Sequence, residues 1–408
     1  MSTVSRAAPV GAARVPLPRL LGPAFVAAIA YLDPGNFATN VAAGAADGYL
    51  LIWVVLAANL MAFLVQHLAA RLGVATGAGL CELVRDRCRP WVTRLYWGQA
   101  EIVCAATDLA EIVGAAIALR MLFGVPLPLG GMAAVGFSLL VLALAGRNQV
   151  VFERVIALAV GLILLAFAAA GCIAGISVGA AATGLVPSSA GGQSLLLVTG
   201  IMGATIMPHA VYTHSALTPR IRRETLGERQ SAARSQRADV GVAMTLAGLG
   251  NIAILAVAAA SLHGRVGADV SLDDARAALS AQSIPLGLLF AVALLLSGLA
   301  ASGVGTLAGQ VVMSGLLRRQ FPQSVRRLAT AVPALLILFC CPDPTKALLL
   351  SQVALSFGLP FALVPLVLAT RKVSVMGDWA VGRTTAALGA GCVAVIVGLN
   401  AVLIWSAR

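Results

Sequence analysis

Long apolar segments alternate with short polar ones along almost the whole chain. Apolar runs of about 18 or more residues recur, and each can cross a hydrocarbon layer about 30 Å thick. The pattern predicts eleven membrane-spanning helices, at residues 20–46, 49–72, 93–121, 127–146, 149–175, 194–218, 238–262, 284–316, 327–341, 346–370 and 383–405. A transmembrane barrel would instead alternate apolar and polar residues over about ten positions. We therefore expect an all-α polytopic membrane protein in which no soluble domain is long enough to fold separately.

The composition agrees with a membrane protein. Of the 408 residues, 60% are hydrophobic and 11% are charged, whereas soluble domains carry about 25% charged residues. The formal net charge is +12, but the basic residues lie in loops between the apolar runs, so nucleic-acid binding is not expected. The seven cysteines form no CxxC pair, and we expect them to be reduced, small hydrophobic side chains.

Arginine-rich loops alternate with loops that lack Lys and Arg. The basic loops are 85–94, 218–230, 318–327 and 371–372, and the neutral ones include 123–130 and 178–192. Basic residues favour the cytoplasmic side of a membrane, so the N-terminal tail at 1–19 is expected to be cytoplasmic. Because the number of spans is odd, the C-terminus is then extracytoplasmic. The tail has no cleavage site typical of a secreted protein, so the first span is expected to be retained.

The first span is interrupted by a polar stretch, 32-LDPGN-36. An ionised Asp near the bilayer centre costs about 2.5–3.5 kcal/mol, so Asp33 is expected to have a partner. Pro34 lacks an N–H and Gly35 permits an unwound backbone, which frees carbonyl groups. With the carboxylate of Asp33 and the amide oxygen of Asn36, these carbonyls form half of a predicted cation site.

The sixth span is interrupted in a similar way, at 207-MPH-209. Pro208 cannot donate to the carbonyl of Ala204, four residues back, so that oxygen is free at the level of Met207. Carboxylate and carbonyl oxygens alone would suit Mg²⁺ or Ca²⁺, whereas a sulfur ligand favours softer transition ions. A lone Met in a membrane helix usually packs in the core. The interpretation of Met207 as a ligand rests on its place beside Pro208 and opposite Asp33.

The two interrupted spans open two blocks of five helices. With five crossings in each block, the repeat at 194–370 has the opposite orientation to the repeat at 20–175, and the helix at 383–405 is additional. Broken helices at matching places in two halves indicate an inverted-repeat transporter with a site near the bilayer midplane. A proline-kinked packing helix is the alternative, and it explains one polar break better than it explains two matched ones.

A second set of polar residues indicates a proton relay or a charge-balancing network. Its members are carboxylates on one face of the third span, histidines of the sixth and an arginine pair that opens the ninth. They are Glu101, Asp108, Glu111, His209, His214, Arg326 and Arg327. A buried structural ion-pair network remains the alternative. His67 and His263 are assigned no role.

Other polar positions carry weaker signals. Gln352 opens the tenth span, where Pro360 is expected to interrupt the helix. Asn251 and the run 303–310 are interpreted as helix packing or as the lining of a pathway. The external loop at 263–285 is expected to hold a short surface helix, and the internal loop at 218–237 to form an interfacial helix.

The two interrupted motifs resemble those of the Nramp family of divalent-metal transporters, in its bacterial MntH-like branch. DPGN in the first span and 203-GATIMPHAVYTHSAL-217 in the sixth carry the resemblance. It extends through 106-ATDLAEIVGAA-116, 304-VGTLAGQVVMSG-315 and 351-SQVALS-356, and so covers nearly the whole chain.

The resemblance implies a LeuT-like fold, with inverted repeats of five helices and one additional helix, in a bacterial inner membrane. It implies a monomeric secondary transporter, not an enzyme, that needs no cofactor and imports Mn²⁺ and Fe²⁺ with protons by alternating access. The residues that match the metal ligands are Asp33, Asn36, Met207, the Ala204 carbonyl and Gln352. The proton-pathway positions are Asp33, His209, Asp108, Glu111, Arg326 and Arg327, with His214, Glu101 and Thr107 as neighbours. The expected hinges are Pro34, Gly35, Gly203 and Pro208.

Two departures from the family pattern and several alternatives stay open. Gly358 stands where many relatives carry a polar side chain, and the chain ends after the eleventh helix without the twelfth of some members. A magnesium-selective relative and an amino-acid symporter are alternatives, although a symporter that binds a substrate carboxylate would not need Asp33. A passive channel would lack the proton relay. An intramembrane metalloprotease would need an HExxH-like cluster, which the four histidines do not form.

Overall fold

The computed structural model describes residues 29–145, 149–188, 194–218, 226–267, 269–319, 322–341 and 343–406. Within these ranges the regular structure is helical. The α-helices are α1 Pro34–Asp47, α2 Ile52–Thr76, α3 Leu80–Arg87, α4 Pro90–Phe123, α5 Leu127–Ala145, α6 Gln149–Ala174, α7 Val178–Thr183, α8 Ser194–Ile206, α9 Pro208–Leu217, α10 Leu226–Leu262, α11 Leu272–Gln282, α12 Ile284–Leu317, α13 Gln323–Cys340, α14 Thr345–Arg371, α15 Val373–Met376 and α16 Arg383–Ser406. The predicted tail at 1–19 and the first residues of the first span lie outside the described residues.

Eight helical segments of the described chain are long and apolar enough to cross a membrane. They are 52–76, 90–123, 154–174, 195–217, 234–262, 284–317, 345–371 and 383–406. The three other predicted spans coincide with α1, with α5 and with α13. The all-α membrane architecture is confirmed, and the count of eleven spans stays a prediction.

The two interrupted segments lie at the centre of the bundle. Every residue from 29 to 45 and from 199 to 215 is buried, whereas a peripheral helix buries only one face. α1 packs against α10, α8, α14 and α4, and the most extensive helix contact within the described residues is that of α4 with α12. The last helix, α16, packs on α14 and α8 at the periphery.

Each break consists of a single non-helical residue that precedes a proline. A 3₁₀ turn at Ile29–Leu32 ends at Asp33, which is extended and caps α1. Met207 separates α8 from α9, with φ 13 and ψ 109. The residue before a proline avoids the α conformation, so Pro34 and Pro208 account for both positions. The structure differs from the expectation at Gly35, which is helical and lies in the first turn of α1.

The tenth span also differs from the expectation, because α14 runs without interruption through Pro360. A proline inside a helix leaves the carbonyl four residues back without its N–H partner, which here is Ser356. The side chain of Asn400 in α16 donates its Nδ2 to that carbonyl at 2.9 Å. An amide from a neighbouring helix thus replaces the lost backbone bond, and the helix continues.

The two expected surface helices have different outcomes. The external loop contains α11, as predicted, although its Leu272 and Leu279 are buried against the bundle. In the internal loop, residues 219–225 lie outside the described chain, and the helix that follows them is continuous from Leu226 to Leu262. The part of this helix before residue 238 is therefore an extension of the predicted seventh span, and the expectation of a separate interfacial helix there is wrong.

Candidate metal and proton site

The two breaks meet at the side chain of Asn36. Its Nδ2 donates to Oδ1 of Asp33 at 2.8 Å and to the carbonyl of Ala204 at 2.9 Å. The backbone N–H of Asn36 also donates to the same carboxylate oxygen of Asp33, at 2.8 Å. Because one NH₂ group contacts both oxygens, a carboxylate from the first span and a carbonyl from the sixth converge on one point.

Thr205 and Met207, one and three positions after Ala204, complete this side of the site. Oγ1 of Thr205 donates to Oδ1 of Asn36 at 3.3 Å, which orients the amide. Met207 is fully buried at the break itself. Within the described residues, no three His, Cys, Asp or Glu side chains come together to hold a metal. Any ion bound here would therefore have mixed ligands: a carboxylate, an amide, a carbonyl and a thioether.

Gln352 of α14 packs closely against both interrupted spans, because each span has a glycine at the point of contact. The side-chain amide of Gln352 lies against Gly35, and its backbone carbonyl lies against Gly203; a Cβ at either glycine would overlap it. Nε2 of Gln352 donates to Oγ of Ser351 at 2.9 Å. The two glycines expected to be hinges are thus places of close helix approach, and both are helical.

Two oxygens at the site have no hydrogen-bond partner although they are buried. They are Oδ2 of Asp33 and Oε1 of Gln352. A buried oxygen without a partner is costly, and buried polar groups in native proteins are normally satisfied. The residues present therefore fit a cation, which would supply the missing partner to both oxygens.

Two backbone carbonyls just before the first break accept hydrogen bonds from side chains of other helices. Asn251 of α10 donates to the carbonyl of Tyr31 at 2.9 Å, and Ser297 of α12 donates to that of Leu32 at 2.5 Å. Asn251 also accepts from Asn40 at 3.1 Å. These carbonyls are therefore not free ligands. Asn251 holds the break in place, as the packing interpretation predicts.

Arg327 gathers the two deepest carboxylates of α4. Its Nη1 contacts Oδ1 of Asp108 and lies 3.3 Å from Oε2 of Glu111. Its Nε donates to Oγ of Ser138 at 2.9 Å, and its Nη2 donates to Oγ of Ser302. Arg327 is 1% exposed, so this is a fully buried charge network. Both serines are neutral partners that the sequence analysis missed.

Arg326 forms a second ion pair, nearer to the start of α4. Its Nη2 lies 2.9 Å from Oε2 of Glu101, whose Oε1 accepts from Trp97 at 3.2 Å. The glycine-rich run of α12 makes room for both pairs. A Cβ at Gly309 would overlap the Arg326 guanidinium. The run that was interpreted as packing or pathway lining thus accommodates charged side chains.

Gly305 makes room for the pair of Glu111 with Arg327. A Cβ at Gly305 would lie 2.6 Å from Oε1 of Glu111. Small residues at these two positions of α12 let the charged side chains of α4 and α13 reach its backbone.

The two histidines of α9 belong to different networks. Nδ1 of His209 lies 3.2 Å from Oγ1 of Thr107, the neighbour of Asp108 in α4. His214 contacts Oε1 of Gln66 at 2.6 Å and Oε1 of Gln236 at 3.4 Å instead. The structure thus places His209 beside the carboxylates of α4 and His214 in a separate amide network.

Gly358 faces a polar side chain from another helix. Nε2 of Gln99 in α4 donates to the Gly358 carbonyl at 3.4 Å, and a Cβ on Gly358 would lie 2.7 Å from that nitrogen. The same Cβ would lie 3.4 Å from Pro208. The place of a polar side chain on the tenth span is therefore taken by an amide from the third.

The comparisons with known proteins identify the family. The model of the Nramp family, described as natural resistance-associated macrophage protein-like, matches residues 24–406. The chain belongs to the Nramp family. It is 48% identical over 395 residues to the divalent metal cation transporter MntH of Mycobacterium tuberculosis strain H37Rv, covering 95% of this chain and 91% of that protein. It is 45% identical over 402 residues to MntH of Deinococcus radiodurans, covering 98% and 92%.

Solved structures show the same fold. The manganese transporter of Eremococcus coleocola aligns with a TM-score of 0.83 at 30% identity, over 94% of this chain and 86% of that one. Mhp1, a nucleobase-cation-symport-1 family transporter, aligns with a TM-score of 0.56 at 16% identity, over 95% and 93%. The second likeness shows the fold alone. The LeuT-like fold of this Nramp protein is confirmed, and the repeat boundaries at residues 20–175 and 194–370 stay predictions.

Proposed function

We propose that this Nramp protein transports divalent metal ions, and that it imports transition ions such as Mn²⁺ and Fe²⁺ together with protons by alternating access. The observation that carries the proposal is the convergence of Asp33, Asn36 and Ala204 across the two breaks. The names of the relatives, divalent metal cation transporters and a manganese transporter, support the class of substrate. The proposed setting is a bacterial inner membrane, with the N-terminus cytoplasmic and a monomer as the working unit.

Binding of the ion requires a rearrangement of Asn36. Its NH₂ group occupies the point between the Asp33 carboxylate and the Ala204 carbonyl. A cation repels this group and is attracted by the amide oxygen, so the amide turns to present Oδ1. The thioether of Met207 then adds a soft ligand, which favours transition ions over Mg²⁺ and Ca²⁺. Gln352 supplies Oε1, which has no partner in the described structure.

The proton route begins at the same carboxylate. Metal binding needs Asp33 as an anion, so an incoming dication displaces its proton. His209 of α9 with Thr107, and then the carboxylates Asp108 and Glu111 of α4, offer successive proton acceptors. Beyond His209 this route follows α4 and α13, whereas the ion is bound at the breaks of the first and sixth spans. We propose that the proton and the metal leave the site by separate paths.

The test is metal flux into proteoliposomes that contain a pH-sensitive dye. Wild-type protein should import Mn²⁺ and acidify the lumen, and Asp33→Asn should abolish both, because it removes the carboxylate at the point of convergence. The matched control is Asp273→Asn in the external helix α11. It breaks the ion pair of Asp273 with Arg120 of α4 and should retain flux. No wild-type flux with several divalent ions would overturn the proposal.

Two further readouts separate the finer alternatives. Metal flux without acidification would show transport without proton coupling. Uptake that is abolished by a moderate excess of Mg²⁺ would indicate a magnesium-selective protein, in contrast to the preference that Met207 predicts.

A further inference from the structure

A groove runs between α2 and α10 on the outer surface of the bundle. Its wide part has a volume of about 200 Å³ and is lined mainly by apolar side chains. The lining residues are Leu56, Asn59, Leu60 and Phe63 of α2, and Met244, Thr245, Gly248, Leu249 and Ile252 of α10. Leu60 is 63% exposed and Leu249 is 58% exposed. We call this surface the α2–α10 groove.

The same two helices form a basic cleft one to two turns further along. The cleft is lined by His67, Ala70, Arg71 and Val74 of α2, Gln236 and Arg237 of α10, and Trp379 from the segment between α15 and α16. In the proposed orientation this end faces the cytoplasm, because α2 ends there and α10 begins there. The groove is thus apolar within the membrane and cationic at the cytoplasmic surface.

Among the described residues, no ion pair compensates the charges of the cleft. Within the described part of the chain, the salt bridges involve neither Arg71 nor Arg237. Nε of Arg71 donates to the carbonyl of Trp379 at 2.8 Å, and its Nη2 donates to that of Ala380 at 3.3 Å. These bonds fix the guanidinium and, among the described residues, leave Nη1 available. Two like charges beside an imidazole attract an anion, and a fixed guanidinium loses little freedom when it binds one.

The dimensions of the combined surface match one leaflet of a bilayer. From Arg237 to Gly248 the helix rises roughly 16 Å, at about 1.5 Å per residue. A leaflet occupies half of a hydrocarbon core about 30 Å thick. A molecule with an anionic head in the cleft and an extended apolar chain in the groove would therefore fit without leaving its leaflet.

We propose that the α2–α10 groove binds an anionic phospholipid of the cytoplasmic leaflet, a proposal that rests on the orientation given under Proposed function. The cleft itself is narrow, with a volume of about 10 Å³, so the phosphate lies at its mouth, against Arg71 and the exposed Arg237 with His67 as a further donor. One acyl chain lies along Leu60 and Phe63. Basic pockets between membrane helices on the cytoplasmic side are known to hold such headgroups. Trp379 supplies the amphipathic ring that is typical of the interface.

The site bears on transport because of what lies directly behind it. Gln66 and Gln236, the neighbours of His67 and Arg237 in sequence, point inward and both contact His214 of α9. A headgroup that joins α2 to α10 from outside therefore acts on the two helices that His214 joins from inside. Bound lipid is expected to change the rate of transport rather than the choice of metal.

The test is native mass spectrometry of the purified, delipidated full chain titrated with phosphatidylglycerol or with zwitterionic phosphatidylethanolamine. We expect one phosphatidylglycerol to be retained selectively. Arg237→Gln should weaken the affinity for phosphatidylglycerol about fivefold, the effect of removing about one basic contact. Arg71→Gln/Arg237→Gln should abolish the preference for phosphatidylglycerol over phosphatidylethanolamine. Arg237→Gln removes no hydrogen bond of the described structure, so it keeps the test valid if Arg71→Gln impairs folding. Leu60→Trp should fill the groove and weaken retention of the acyl chain.

Matched controls lie elsewhere on the same surfaces. Arg371→Gln/Lys372→Gln changes two exposed basic residues outside the cleft, and Leu368→Trp changes a lipid-facing residue that is 48% exposed on α14. Both should bind like wild type. Equal retention of the two lipids, or equal binding by Arg71→Gln/Arg237→Gln, would overturn the proposal. Displacement by glycerol phosphate, with no effect of Leu60→Trp, would overturn it in favour of a site for a soluble phosphate.

Discussion

The side-chain amide of Asn36 donates to the backbone carbonyl of Ala204 across 2.9 Å. This bond joins the first interrupted span to the sixth, and it exists because Pro208 has no N–H to donate to that carbonyl. The same arrangement recurs at the tenth span, where Asn400 donates to the Ser356 carbonyl that Pro360 leaves free. The freed carbonyl of Ala204 lies at a break and beside the carboxylate of Asp33. The freed carbonyl of Ser356 lies within a continuous helix, and its partner Asn400 has a purely structural role.

The first prediction follows from that contrast. Pro208→Ala restores an N–H that can donate to the Ala204 carbonyl and so competes with the metal for this oxygen. Because one hydrogen bond contributes about 1 kcal/mol, the affinity for Mn²⁺ should fall about fivefold. Isothermal titration calorimetry on the purified protein measures it.

Pro360→Ala is the matched control, since it restores an N–H toward a carbonyl that is not part of the site. It should leave the affinity for Mn²⁺ unchanged. An equal loss in both variants would mean that the prolines act through general packing and that the Ala204 carbonyl is not a ligand.

The residues that interrupt apolar spans could be identified from the sequence because their polarity is out of place there. Asp33, Asn36 and Met207 stand beside prolines in runs that would otherwise be continuous. The physical chemistry of proline also predicts which carbonyl loses its partner. Whether the helix then breaks could not be predicted, because α14 continues through Pro360, where Asn400 from another helix donates to the free carbonyl.

Neutral residues at helix contacts could not be identified in the same way. Ser297 binds the Leu32 carbonyl and Gln99 covers Gly358, but serine, glutamine and glycine are common in membrane helices. Their roles depend on which helices are neighbours and at which height they touch. A single sequence gives the spans but not their mutual rotation, so these contacts require the structure.

The second prediction concerns Met207, the proposed sulfur ligand. Met207→Ala should reduce Mn²⁺ transport less than it reduces discrimination against Mg²⁺ and Ca²⁺, because it removes the soft ligand and leaves the oxygen ligands. Competition of each ion with Mn²⁺ uptake in proteoliposomes measures the selectivity. Equal losses for all ions would contradict the role in selectivity.

The third prediction concerns the buried arginine. Arg327→Gln leaves Asp108 and Glu111 buried without their cation, and loss of one partner of a buried pair costs about 3–5 kcal/mol. A large fall in the thermal unfolding midpoint is therefore expected. Arg326→Gln should have a smaller effect, because its partner Glu101 is 20% exposed and can be solvated. Similar midpoints for the two variants would argue against a tightly coupled buried network.

The fourth prediction uses the glycines of α12. Gly309→Ala introduces a methyl group where the Arg326 guanidinium lies, so the pair of Arg326 with Glu101 must separate or shift. In Gly161→Ala, by contrast, the added methyl group meets nothing within 4 Å. An alanine in a helix is more stable than glycine by roughly 0.5–1 kcal/mol, so this control should unfold at the same or a higher temperature.

If Arg326 takes part in proton transfer, Gly309→Ala should strongly reduce Mn²⁺-driven acidification while it lowers the unfolding temperature only slightly. The dye assay and a thermal melt on the same preparation give both values. A parallel fall of both would assign the pair of Arg326 with Glu101 to structure alone, since a loss of fold impairs every activity. Retained acidification in a destabilised variant would lead to the same assignment, because the pair would then be dispensable for proton movement.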